Sequence, residues 1–153
     1  MQTIEELLRS KKIKVTPQRM AVYAVLKQTK EHPNVEMIYK KLKPDYPAIS
    51  LATVYKTVDM LKRIGLIQEL NVGDGSLRFD ANAQPHAHIY CKGCGKVTDI
   101  DNFSFAQLQN QQTWEDIAAE TGFQVSAVQL YFYGLCSHCR RKNSPADTAP
   151  DTQ

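Results

Sequence analysis

Two kinds of metal-ligand chemistry crowd into one run of fifteen residues, Pro85-His-Ala-His-Ile-Tyr-Cys-Lys-Gly-Cys-Gly-Lys-Val-Thr-Asp99. Cys91 and Cys94 flank Lys92-Gly93, a tight turn that lets two thiolates converge on one ion. A second pair, Cys136 and Cys139, flanks Ser137-His138. Two Cys-x-x-Cys pairs predict a four-thiolate structural zinc site. The 41 residues between Cys94 and Cys136 exceed a zinc-ribbon loop but suffice for a strand-helix-strand insert. The competing reading is a dithiol switch, in which a thiolate attacks an oxidant. In a reducing compartment the pairing favours metal over disulfide.

Harder donors form a second set: His32, Asp80, His86, His88 and Asp99. His86 and His88 are two apart, so in a strand both imidazoles project from one face. A lone histidine is more often a surface or satisfied core residue, but three of the four histidines join this set. Three imidazoles and two carboxylates without a thiolate suit Fe(II), Mn(II) or Zn(II), and ligand softness does not choose among them. The ligands fall on both sides of a linker, so an ion held there would pull two domains into a fixed pose. A metalloenzyme using an N/O-ligated metal for hydrolysis or oxygen chemistry is the rival class. Against it, the chain has no H-E-x-x-H, no Gly-rich phosphate loop and no Ser/Cys nucleophile constellation.

The elements that must position these residues can be read from caps and breaks. Thr3-Ile-Glu-Glu6 is a capping box opening a helix to about Lys12, and Thr16-Pro17 opens a second to about Thr29. His32-Pro33 breaks the chain. Asn34 caps a third helix, with Ile38 and Leu42 one turn apart, and Pro44 and Pro47 end it. Ser50 caps a fourth, running to Gly65, with Leu51, Val54, Val58 and Leu61 on one face. Two strands, Leu66–Asn71 and Ser76–Asp80, are joined by Val72-Gly-Asp-Gly75. Residues 1–80 therefore read as a winged helix-turn-helix and 81–85 as a linker. Residues 86–141 read as a small α/β domain: strands His86–Tyr90 and near Lys96–Ile100, a helix at about Ser104–Thr121 and a long strand Phe123–Tyr133. A unit that small buries little core, so a zinc staple makes energetic sense. The whole is an α+β fold, with a polar, disordered tail expected over 142–153.

The outward face of the fourth helix is the candidate DNA reader. Lys56 and Arg63 can meet phosphates or guanine edges, while Ala52, Tyr55 and the Thr53 methyl can contact thymine methyls. Ser50 and the helix N-terminus can take a phosphate. The hairpin residue Arg78 and an early cluster including Lys14 and Arg19 can add backbone contacts. The plainer alternative is a solvated helix face, and Asp59 would repel phosphate. Residues 1–80 carry 14 Lys/Arg against 9 Asp/Glu, and residues 81–153 carry 5 against 7. That asymmetry points the first half towards a polyanion. The acidic opening Met1-Gln-Thr-Ile-Glu-Glu lacks the basic region and apolar core of a secretory leader, and no apolar run approaches a membrane span, so a cytoplasmic protein is expected.

With Thr16-Pro-Gln-Arg19, His32-Pro33, Ala52-Thr-Val-Tyr55, Arg78-Phe-Asp80, His86-Ala-His88 and the two cysteine pairs in view, the sequence resembles the Fur superfamily of metal-responsive repressors. It most closely resembles the peroxide-sensing PerR branch, over about residues 3–142. The resemblance implies structural zinc on Cys91, Cys94, Cys136 and Cys139, and regulatory Fe(II) or Mn(II) on His32, Asp80, His86, His88 and Asp99. It implies base contact by Tyr55, a homodimer closing over a palindromic AT-rich operator, repression, and peroxide oxidation of a ligating histidine, His32 or His86, at bound Fe(II). Asp99, where iron-uptake regulators more often show Glu, and Arg78-Phe-Asp80 both favour the peroxide branch. Ala127 and Val128 replace a His-His pair found in some relatives, which argues against a third metal site of that type.

Overall fold

Side-chain caps open most of the helices. A computed structural model describes residues 3–106 and 108–142, and the chain divides into two units between Gln84 and Pro85. In the first, α1 (Ile4–Ser10) carries a capping box: the Glu6 N–H donates to Thr3 Oγ1 (3.2 Å) and the Thr3 N–H to Glu6 Oε2 (2.8 Å). Thr16, Asn34 and Ser50 cap α2 (Pro17–Gln28), α3 (Val35–Leu42) and α4 (Leu51–Arg63), each accepting the N–H three residues on. Gly65, just past the end of α4, has a φ of 75°, a left-handed conformation that costs residues with a Cβ about 1–2 kcal/mol.

An antiparallel hairpin follows, β1 (Gln68–Asn71) and β2 (Leu77–Asp80), in a register that sets Gln68 opposite Asp80. The helices enclose Val22, Leu26, Ile38, Val54, Val58 and Leu61, and Phe79 joins them from the hairpin. Burial of each such side chain contributes roughly 1.5–3 kcal/mol. Three helices and a wing on one core make a winged helix-turn-helix. The Phe79 N–H also donates to the Pro33 carbonyl (3.1 Å), so the core that holds β2 fixes the loop carrying His32. His32 sits at a φ of 47°, an uncommon backbone state for a residue other than glycine.

The inward stripe of α4 differs from the expected one. Leu51, at the first helical position, is 37% exposed, whereas Thr57 and Met60 are buried beside Val54, Val58 and Leu61. A threonine is tolerated there because its hydroxyl donates to the Thr53 carbonyl (2.8 Å), leaving its methyl for packing.

The second unit comprises β3 (Ala87–Cys91), β4 (Val97–Ile100), α5 (Gln111–Thr121), β5 (Leu130–Gly134) and α6 (Ser137–Lys142). The sheet order is β4-β3-β5, with β4 antiparallel and β5 parallel to β3. Parallel neighbours need a crossover, which α5 supplies. Among the described residues of the second unit, the buried hydrophobic side chains are Ala87, Cys91, Val97, Phe105 and Cys139, a small set.

The helix expected from Ser104 begins at Gln111, where Asn110 Oδ1 accepts the Thr113 N–H at 2.7 Å. The preceding turns instead bring Phe103 to Phe105 and Phe132, with ring centroids 6.1 and 5.7 Å apart. The long strand expected over Phe123–Tyr133 is confined to Leu130–Gly134, because β3 offers partners only from Ala87 to Cys91. Phe123 is 75% exposed. The short helix α6 was not foreseen, and the tail expected after Lys142 lies outside the described residues.

Candidate metal centres and nucleic-acid face

The thiolate pairs are brought together by backbone bonds at the ends of neighbouring strands. Cys91 closes β3, the Gly95 N–H donates back to the Cys91 carbonyl (2.8 Å), and the Lys92 N–H donates to Gly134 at the end of β5 (2.8 Å). That second bond delivers Cys136 and Cys139 to the turn. The Cys136 N–H donates to Cys91 Sγ (3.2 Å), Cys94 Sγ lies 3.8 Å from Cys136 Sγ, and all four sulfurs lie within 4.8 Å of one another. None of these cysteines is in a disulfide.

Zinc–sulfur bonds of about 2.3 Å in a tetrahedron put sulfurs roughly 3.8 Å apart, so the donor set fits such an ion. Backbone N–H groups of Cys136 and Cys94 bring the Cys91 thiol down to about 6. Hydrogen bonding to Cys136 and burial push Cys139 up to about 12. One thiol of the cluster is ready to ionise at neutral pH, while another ionises only when a cation answers the accumulated charge. Gly93 completes the cradle: a Cβ there would stand 2.8 Å from both Cβ and Sγ of Cys139.

The harder donors are organised within each unit. In the second, the β3–β4 register sets His88 across from Asp99. Asp99 Oδ1 lies 3.3 Å from His86 Nε2 and 3.5 Å from His88 Nε2, with the imidazole centroids 4.3 Å apart. One carboxylate oxygen thus lies beside two imidazole nitrogens, donor types that suit a divalent cation. In the first unit, His32 Nδ1 lies 3.9 Å from Asp80 Oδ1, and both residues are buried. The Asn82 N–H donates to Asp80 Oδ1 (2.7 Å), and Gln68 Nε2 donates to Asp80 Oδ2 (3.3 Å) and to the Asn82 carbonyl (2.7 Å). Gln68 is a supporting residue that spacing alone does not reveal, although the hairpin register would have found it. Tyr131 is another: β5 sets it beside His88, ring centroids 5.9 Å apart.

On α4, Ala52, Tyr55, Lys56 and Arg63 are exposed, and Thr53 is half-buried. Ser50 Oγ caps the helix by accepting the Thr53 N–H (3.1 Å). Arg63 pairs with Asp59 at 3.2 Å and Lys62 with Glu69 at 2.7 Å. The Tyr55 hydroxyl donates to Glu36 on α3 (2.7 Å). Glu36, Tyr55, Asp59, Lys62, Glu69 and Leu77 line an open groove of about 390 Å³ between the helices and the wing. Arg78 is drawn into the wing turn by Asp74 (3.0 Å), and its side chain is only 15% exposed. The Arg19 guanidinium donates to the Lys14 carbonyl, while the Lys14 side chain remains exposed. Among the described residues, no helix is long and apolar enough to cross a membrane.

A model of the Ferric uptake regulator family matches residues 10–133. The chain is 49% identical over 142 residues to a Clostridium acetobutylicum protein named transcriptional regulator PerR, covering 93% of this chain and 99% of that one. It is 40% identical over 136 residues to the peroxide-responsive repressor PerR of Staphylococcus aureus, covering 88% of each. The solved structure of the Campylobacter jejuni peroxide stress regulator superposes with a TM-score of 0.63 at 33% identity, covering 90% of this chain and 100% of that one.

Proposed function

Because this chain belongs to the ferric uptake regulator family, we propose that it is a metal-dependent, DNA-binding transcriptional repressor that senses hydrogen peroxide. In this reading Zn(II) on Cys91, Cys94, Cys136 and Cys139 staples the second unit. Fe(II) or Mn(II) is held jointly by His32 and Asp80 from the first unit and by His86, His88 and Asp99 from the second. The protein acts in the cytoplasm as a homodimer on a palindromic AT-rich operator.

The observation that carries the reading is the approach of His86 and His88 to one oxygen of Asp99, a group of donors that contains no thiolate. Such a set suits Fe(II) or Mn(II) as well as Zn(II), so a redox-active divalent cation can be held there. Bound Fe(II) supplies the one-electron chemistry through which peroxide is reduced. The chain supplies the target: an imidazole C–H of His32 or His86 takes one oxygen atom from peroxide, and water leaves. An oxidised imidazole binds metal poorly, so the pose required for operator binding is lost. Ser50, Ala52, Thr53, Tyr55, Lys56 and Arg63 of the α4 face contact the operator, and Lys14, Arg19 and Arg78 add phosphate contacts.

Peptide mass spectrometry of Fe(II)-loaded protein after mild peroxide treatment tests this. One added oxygen on the peptide containing His32 or His86, with parallel release of DNA and no such change in Mn(II)-loaded protein, is the expected result. DNA release without that adduct would make the protein an iron- or manganese-level sensor. Zinc loss preceding histidine oxidation would transfer the sensing to the cysteines.

A further inference from the structure

The Tyr55–Glu36 hydrogen bond joins the first turn of α3 to α4 and engages the one polar atom of the residue best placed to meet a base. Tyr55 is 50% exposed, so its ring faces solvent while its hydroxyl is occupied. The bond holds the Glu36 carboxyl below its ordinary range and the phenol above its own. Of the three carboxylates lining the groove, Asp59 and Glu69 are answered by the cations Arg63 and Lys62. Glu36 is hydrogen-bonded to a neutral hydroxyl, and the Lys40 ammonium one turn along α3 is only a weaker electrostatic influence on it, which leaves much of its charge on a face that approaches phosphates.

Two consequences oppose each other usefully. Fixing the phenol oxygen fixes the ring, and an ordered ring edge meets a thymine methyl without first losing rotamer freedom. A retained carboxylate weakens sequence-independent attraction to the phosphate backbone, which is the main source of binding to wrong sites. Affinity for any duplex falls slightly, while the margin between right and wrong duplexes widens.

We propose that Glu36 is a positioning and specificity-determining residue: it holds Tyr55 so that the ring edge, not the hydroxyl, reads thymine, while its charge lowers affinity for every duplex alike. This rests on the reading of α4 as the DNA-facing helix. The test uses full-length, Mn(II)-loaded protein and two labelled duplexes. One is recovered by repeated selection from a randomised AT-rich palindromic library, and the other is its scramble of equal composition.

Glu36→Ala is expected to bind the scramble roughly two- to fivefold tighter and to lower the ratio of the two affinities roughly three- to tenfold. Glu36→Gln keeps an acceptor for the phenol without the charge, so it should tighten on both duplexes by a similar factor and keep the wild-type ratio. Tyr55→Phe should stay within about threefold of wild type on the selected duplex, because the ring edge remains. An unchanged ratio in Glu36→Ala overturns the proposal, as does proportional weakening on both duplexes, which is what a merely structural role produces. Loss in Tyr55→Phe as large as in Tyr55→Ala also overturns it, by placing the hydroxyl on the DNA. Wild-type protein that fails to distinguish the duplexes overturns it together with the DNA-facing reading of α4.

Discussion

Asp99 places one carboxylate oxygen within 3.5 Å of a nitrogen of each of two histidines, so its length is a chemical parameter. Asp99→Glu adds one methylene and shifts that oxygen relative to both imidazoles. We expect the variant to keep metal-dependent DNA binding but to release DNA after peroxide at least about tenfold more slowly, as gel-shift time courses would measure. Gln68→Leu removes two hydrogen bonds that orient Asp80 and its loop. Supporting partners of this kind contribute 10- to 100-fold to metal affinity, so Mn(II) should bind about tenfold more weakly by calorimetry. At this scale the donors were legible in the sequence because their chemistry is intrinsic: a cysteine pair or a His-x-His names its own use. Gln68, Glu36 and Tyr131 were not legible, because each acquires its role from a partner on another element.

Among the elements, caps were the most readable features, since Thr3, Thr16, Asn34 and Ser50 act on N–H groups three residues away. The extents of β5 and α5 were not, because pairing partners and the Asn110 cap set them, and apolar residues at 103, 105 and 123 imitate regular structure. Gly93→Ala tests the thiolate turn. With a Cβ 2.8 Å from two atoms of Cys139, the turn must move off its ligand geometry. Bound zinc per chain should fall, and the second unit should lose about 1–3 kcal/mol in denaturant titrations while the first is unchanged. The wing turn carries a pH dependence. The Ser76 N–H, with help from Arg78, holds Asp74 below its ordinary 3.8. A depressed carboxyl contributes stability that is complete above its unfolded pKa and is lost as pH falls through the lower folded value, so the wing should weaken from about pH 4 downwards. Asp74→Asn should flatten that acid limb in amide chemical shifts of residues 72–78.

The molecule as a whole divides its stability unevenly. The first unit has a contiguous core from Leu8 to Phe79, whereas among the described residues of the second the buried hydrophobic side chains are few: Ala87, Cys91, Val97, Phe105 and Cys139. Stripping zinc with a strong chelator should therefore unfold the second unit and leave the helical signal of the first with its own thermal transition. Calorimetry would show one transition, that of the first unit, where zinc-loaded protein shows the unfolding of both. If one cation is gripped by both units, inserting Gly-Gly-Ser-Ser between Gln84 and Pro85 should leave both folds and zinc content intact. It should weaken Mn(II)-dependent operator binding by more than about tenfold. The winged-helix half was legible because amphipathic period, caps and turn glycines agree there. The second half was legible mainly through its cysteines, with too few apolar residues for periodicity to speak.

The bond from Lys92 to Gly134 makes completion of the cysteine cluster wait for the crossover. At ribosomal rates of about 5–20 residues per second, the 41 residues separating Cys94 from Cys136 take roughly 2–8 seconds to synthesise. During that interval Cys91 and Cys94 exist without Cys136 and Cys139, two thiols short of a full coordination shell. An oxidant encountered then meets half-built thiol chemistry, whereas one encountered later meets imidazoles. Alkylation mapping of ribosome-bound chains stalled before and after residue 139 should show the first pair reactive in the shorter chain and protected by zinc in the longer one. A regulator of this construction is most vulnerable to its own signal while it is being made.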